Sequence, residues 1–217
     1  TITSDVDGSA AQADFVIEAI VEDLKVKREL FARISKICRP DAVLSTNSSN
    51  IVSSKLADVT EHPERLMNVH YFNPALAMKL VELVRGAHTS DETVAIAKAF
   101  AESTGKTAIV LNKEIAGFVA NRINAAVVHE ALSLLAKGIA SVEDIDTACE
   151  KGLNYPMGPF RLMDLTGIDV NYYVRVDRYA ESHDSFDAPN PLVIEKFKKG
   201  EFGKKTGKGW YDYTDAK

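Results

Sequence analysis

The spacing of apolar and polar residues changes its rhythm once along the chain, near residue 112. Ahead of that point, short and nearly continuous apolar runs alternate with segments whose apolar residues recur every three or four positions. DFVIEAIV (residues 14–21) is a run of the first kind, broken only by Glu18, and predicts a buried strand. Residues 22–38 then place Leu24, Phe31, Ile34 and Ile37 on one helical face, and Arg39-Pro40 stops that helix. DAVLSTN (41–47) predicts a second strand that runs into the polar loop STNSSN. After a short amphipathic segment, RLMNV (65–69) predicts a strand ending at His70, and beyond a turn at Pro74 the run KLVELV (79–84) predicts another. Val94, Ala97, Phe100 and Ala101 give residues 91–104 a helical face closed by Gly105, and TAIVL (107–111) follows as a strand. Strands alternating with helices predict a parallel sheet covered by helices.

Beyond residue 112 the period is helical only. Phe118, Ile123, Val127, Leu132 and Leu135 predict one long helix over 118–137 with those residues inward, closed by Gly138. SVED (141–144) is a capping box, with Ser141 accepting from a backbone N–H and Asp144 reaching back, and it opens a helix that ends at Gly152. Pro159 opens a short helix, and residues 168–182 form another, rich in Tyr and Val. FGKKTGKGWYDY (202–213) holds too many Gly and Lys residues for a helix and predicts a loop locked by Trp210 and Tyr211. The fold class is α/β: a doubly wound, mostly parallel sheet domain over residues 1–112, then an all-α domain over 113–217, the boundary lying within 112–117.

Composition excludes whole classes of function. Hydrophobic residues make up 46% and charged residues 26% of the 217, an ordinary globular balance. No apolar run approaches the roughly 18 residues that a spanning helix needs, so no membrane partner is expected. Net charge is −5 and the basic residues are scattered, which argues against a nucleic-acid partner. Cys38 and Cys149, the only cysteines, sit far apart in helical contexts and predict two buried thiols in a reducing, cytoplasmic compartment. Neither they nor the five histidines show metal-ligand spacing, so no metal is expected. The first residues are neither basic nor apolar and include no initiator Met, as in a fragment or processed chain.

Candidate chemistry gathers at the strand ends. Asn47 and Ser49 follow one strand, His70 ends the next, Glu82 lies in the strand after it, and Asn121 opens the helical segment. If the strands holding His70 and Glu82 are neighbours, a carboxylate reaches a ring nitrogen, fixing the imidazole tautomer and raising its basicity, as a general base requires. The blander readings are a core histidine capped by a carbonyl, a turn serine, and a surface asparagine on a helix. Glu82 resists such a reading, because a carboxylate inside an apolar strand is costly unless paired. No Gly-x-Gly-x-x-Gly phosphate loop follows any strand. Either the sheet binds no dinucleotide, or the unit that carries the loop lies outside this sequence, in which case weak or absent NAD binding is expected of these 217 residues.

Seven collinear blocks, VIEAIVEDLKVK, STNSSN, HYFNPALAMKLVELV, GFVANR, GIASVEDID, YPMGPF and FGKKTGKGWYDY, resemble the 3-hydroxyacyl-CoA dehydrogenases, and most of all their bacterial 3-hydroxybutyryl-CoA branch. The resemblance runs from Asp14 to Tyr213. It implies a Rossmann-like domain that binds NAD, lacking its N-terminal glycine-loop unit, then a helical domain that forms a homodimer and completes the substrate cleft. It further implies that His70 is the catalytic base oriented by Glu82, that Ser49 and Asn121 hold the 3-oxygen of an acyl-CoA substrate, and that Glu22, Lys27 and Asn47 lie on the cofactor side. The implied reaction interconverts (S)-3-hydroxyacyl-CoA and 3-oxoacyl-CoA, of short chain, in fatty-acid metabolism. A related sugar-acid (gulonate-type) dehydrogenase, or a catalytically idle dimerisation fragment, are the competing readings. NSSN in place of NTSS, Ala116 in place of a proline and Arg161 in place of a glutamate depart from the family pattern and bear on chain length, not reaction type.

Overall fold

The computed structural model describes residues 2–214. The chain divides into two compact units, one up to Arg122 and one from Ile123. The first opens with helix α1 (Val6–Gln12), absent from the sequence reading and capped by Asp5, whose carboxylate accepts from the N–H of Gly8. Five strands follow: β1 (Phe15–Glu18), β2 (Val43–Thr46), β3 (Leu66–Tyr71), β4 (Leu80–Val84) and β5 (Thr107–Leu111). Between them lie α2 (Leu24–Ile34), α3 (Ser54–Ala57) and α4 (Asp91–Ser103).

Among the described residues the sheet order is β1-β2-β3-β4-β5. Pairing is parallel except between β3 and β4, which run antiparallel. The sequence pattern predicts a mostly parallel sheet, and one antiparallel pair agrees with that. The exception has a simple cause, since residues 72–79 form no helix and are too few to carry the chain back across the sheet, a crossover needing about a dozen. Both faces are covered. Leu44 and Leu66 pack with Ala10, Phe31, Ile34 and Leu56 from α1, α2 and α3, while Met67, Val69, Val81 and Leu83 pack with Ala97 and Ala101 of α4. Neighbours along β3 therefore alternate between faces, as the pleat requires.

The second unit takes in most of α5 (Ala120–Ala136), then α6 (Val142–Thr147) with a π-helical extension Ala148–Gly152, α7 (Pro159–Thr166), α8 (Ile168–Ser182) and α9 (Pro191–Lys198). Its core joins Val128, Leu132, Ile145, Phe160, Met163, Ile168 and Val193. Two expectations fail here. Ile123 is 60% exposed, not inward, and Phe118 precedes the helix it was expected to open, held in a left-handed backbone with φ 48°. Helix α9 also escaped the sequence reading; Pro191 starts it and the Asn190 side chain accepts from the N–H of Leu192.

The tail is locked through carboxylates as well as aromatic rings. Trp210 packs edge-on against Phe160 at 4.9 Å. Buried Asp164 accepts from the N–H groups of Trp210 and Tyr211 and from the Tyr213 hydroxyl at 2.9–3.0 Å. Buried Asp146 accepts from the N–H groups of Phe160 and Arg161, capping α7, and from the Tyr211 hydroxyl at 2.8 Å.

Candidate active site

His70 is the last but one residue of β3, at the carboxyl end that it shares with parallel β2, and Glu82 stands directly opposite on β4. Opposed residues of an antiparallel pair project on the same face. The antiparallel turn between β3 and β4 thus brings carboxylate and imidazole together: Nδ1 of His70 lies 2.9 Å from Oε2 of Glu82, both side chains buried. Oε1 of Glu82 accepts from the N–H groups of Val119 and Ala120 at 3.1 and 2.9 Å, where α5 begins. Burial pushes the Glu82 carboxyl up, but the His70 hydrogen bond and those two N–H groups outweigh it, so the group lies below its ordinary value.

An ionised Glu82 only accepts, so Nδ1 of His70 carries the proton and Nε2 presents its lone pair. The Ser49 hydroxyl lies 2.9 Å from Nε2 and donates to it. Phe72 and Phe118 meet the imidazole edge-on at 4.6 and 5.3 Å and fix its plane. The positive φ of Phe118 has a use here, as it turns the chain so that the next two N–H groups reach Glu82.

Asn47, Glu22 and Lys27 gather beside this pair. They line one hollow of about 280 Å³ with Ala19, Ile20, Ser48, Ser49 and Asn50. Asn47 Oδ1 accepts from the N–H of Tyr71 at 2.8 Å, pinning the loop to the end of β3. Glu22 accepts a short hydrogen bond from the Ser48 hydroxyl. Lys27 is buried and spent internally, 2.6 Å from Glu18 and 3.5 Å from Glu22. Asn121, second residue of α5, is half-buried, and no hydrogen bond engages its side chain among the described residues.

Sequence reading passed over several residues of this network. Glu18, at the end of β1, binds Lys27, the Thr46 hydroxyl and the N–H of Ile20; its signal was the charge that breaks an apolar run. Glu114 accepts from the Ser53 hydroxyl and the N–H of Ser54, and nothing in its local pattern announced that. Among the described residues, no group of three or more His, Cys, Asp or Glu side chains is placed to hold a metal ion, and no helix is long and apolar enough to cross a membrane.

Residues 1–115 match the model of the 3-hydroxyacyl-CoA dehydrogenase NAD binding domain, and residues 117–213 that of the C-terminal domain of the same family. The chain is similar to a probable 3-hydroxybutyryl-CoA dehydrogenase of Bacillus subtilis, 40% identical over 206 residues that make up 95% of this chain and 71% of the relative. The crystal structure of 3-hydroxybutyryl-CoA dehydrogenase from Escherichia coli superposes with a TM-score of 0.91 at 38% identity, covering 97% of this chain and 44% of that one. That of (S)-3-hydroxybutyryl-CoA dehydrogenase from Ralstonia eutropha gives 0.87 at 38% identity, covering 95% and 74%.

Proposed function

Since the chain belongs to the 3-hydroxyacyl-CoA dehydrogenase family, whose reaction is NAD-dependent oxidoreduction of 3-hydroxyacyl-CoA, we propose that His70 is the base of that reaction and that the preferred substrate is short, of the 3-hydroxybutyryl-CoA class. The base reading rests on one observation above the others: Ser49, His70 and Glu82 form an unbroken relay, 2.9 Å at each link, whose imidazole and carboxylate are buried. The short-chain reading rests on the names of the relatives just described, which also favour an acyl-CoA over a sugar acid.

Nε2 of His70 takes the proton from the C3 hydroxyl in oxidation and returns it in reduction. Glu82 stabilises the charge that the ring then carries, without moving. Ser49 and Asn121 hold the 3-oxygen, Ser49 because its hydroxyl already lies at Nε2 and Asn121 because its carboxamide is uncommitted. The hollow beside them suits the cofactor: it opens at the carboxyl ends of parallel β1 and β2 and offers the polar groups of Glu22, Asn47 and Ser48. Glu22, Asn47 and Ser48 would hold NAD there, and it would supply the hydride acceptor for oxidation at C3. Lys27 acts by holding Glu22 in place.

Replacing His70 by Gln tests the base. In the intact enzyme, turnover of acetoacetyl-CoA is expected to fall by about 10²–10⁴-fold with NADH affinity retained; undiminished turnover removes His70 from the role, and turnover of gulonate in preference to the thioester removes the substrate class. For quaternary structure the reading is a homodimer through the helical unit, which exposes Ile139, Leu153 and Tyr173 at 67%, 63% and 56%. A purely monomeric sedimentation profile contradicts it.

A further inference from the structure

Ser49 lies on an irregular loop, yet it meets His70 at hydrogen-bond distance. Loops are mobile unless tied, so something must set that distance. Asn68 is on β3 two residues before His70, on the same face, and is fully buried. Its carboxamide spends every group it has on the loop. Nδ2 donates to the carbonyls of Ser48 and Ile51 at 3.2 and 3.0 Å, and Oδ1 accepts from the N–H of Ser53 at 2.7 Å. Two carbonyls on one side and an N–H on the other leave the amide a single orientation.

The bonded carbonyls straddle Ser49 in sequence. We infer that Asn68 is a positioning residue, a clamp that fixes Ser49 against Nε2 of His70 because both the clamp and the histidine are carried by the same strand. This rests on the catalytic reading of His70 and Ser49 and deepens it. A side chain of that length with two donors and one acceptor is needed. Aspartate keeps the shape but sets a carboxylate against two carbonyls, and leucine leaves all three backbone groups unpaired. The N–H of Gly117 on the Ser49 carbonyl, at 3.0 Å, helps to hold the loop but touches neither of the other two carbonyls.

The test compares Asn68→Asp, Ser49→Ala and the double variant in the active enzyme with acetoacetyl-CoA and NADH. The single Asn68→Asp change is expected to lower kcat about 10–100-fold, as a misplaced group does, with KM for NADH within about twofold of the parent. Added to Ser49→Ala it should cost less than about twofold more, because the clamp acts through that serine. The ¹⁵N resonance of His70 Nε2 should shift the same way in both single variants. Full kcat in Asn68→Asp, penalties that multiply in the double variant, or an unmoved Nε2 resonance overturns the inference. If instead both His70→Gln and Ser49→Ala keep full turnover, the catalytic reading falls, and the resonance alone judges whether Asn68 sets the distance. Should the charged variant fail to fold, Asn68→Ala, which admits water in place of the amide, is judged by the same measurements.

Discussion

Both units bury carboxylates, and they terminate them differently. Glu82 in the sheet unit and Asp146 and Asp164 in the helical unit each accept two backbone N–H groups and one side-chain donor. That satisfies the demand of a charge withdrawn from water. In the helical unit the side-chain donor is a phenol, Tyr211 or Tyr213, and burial first and the neighbouring carboxylate second push both hydroxyls up, so they remain neutral donors. In the sheet unit the donor is an imidazole, and its other nitrogen meets Ser49. A buried carboxylate is thus no sign of chemistry by itself. What distinguishes Glu82 is that its side-chain donor has a second ring nitrogen, which meets Ser49.

The comparison breaks most completely at Glu82→Gln. The amide oxygen still accepts from Val119 and Ala120, so folding should change little. Its NH₂ must then face Nδ1, which forces the proton onto Nε2 and removes the lone pair that the proposed base uses. Turnover of acetoacetyl-CoA is expected to drop on the order of 10³-fold or more, as when a histidine is held in the wrong tautomer, while the thermal midpoint stays within a few degrees. Retained turnover would place Glu82 with Asp146 and Asp164, as a structural group only.

The reciprocal change is Asp164→Ala in the helical unit. Trp210 N, Tyr211 N and the Tyr213 hydroxyl lose their acceptor together. A loss of about 3–5 kcal/mol is expected for several buried donors left unpaired. Trp210 is the only tryptophan, so its fluorescence reports this unit alone in a denaturant titration. An unchanged midpoint would mean that the tail holds through aromatic packing without the carboxylate.

Much of this was legible beforehand because it follows from period and pairing cost. The helix, strand and Gly signals placed β5, α8 and the Gly152 stop to within a residue. His70 and Glu82 stood out because polar groups inside apolar runs need partners. The antiparallel β4 was not legible, since the apolar run KLVELV is the same in either direction. Asn68 gave the same signal as His70 and Glu82, a polar group inside the apolar strand RLMNV, but its partners are backbone groups of a distant loop that no residue type announces. Phe118 read as a helical core residue because its burial is real, whereas its left-handed φ is a tertiary constraint. The tail's aromatic residues announced a lock, but the two aspartates that complete it lie in helices 46 and 65 residues upstream of their Trp210 and Tyr211 partners, respectively.

The smallest effect sharpens the contrast through pH. Glu82 lies below its ordinary 4.5 in the folded chain, so what it contributes to stability is fully present above about pH 4.5 and is lost as pH falls through the lower folded value. Tyr213 behaves in the opposite sense. Its hydroxyl rises from 10.0 to about 12, so between those values the folded chain keeps a proton that the unfolded chain has given up, and stability declines as pH rises through that window. Tyr213→Phe should flatten the alkaline decline of the Trp210 transition in part, Tyr211 being raised as well, and leave the acid limb alone. Glu82→Gln should flatten the acid limb of the sheet unit's own transition, followed by circular dichroism, and leave its alkaline limb alone. If Tyr213→Phe leaves the alkaline limb as steep as before, its hydroxyl is not held neutral by Asp164, and the helical unit's carboxylates are less sealed than those 3.0 Å and 2.8 Å hydrogen bonds to phenols imply.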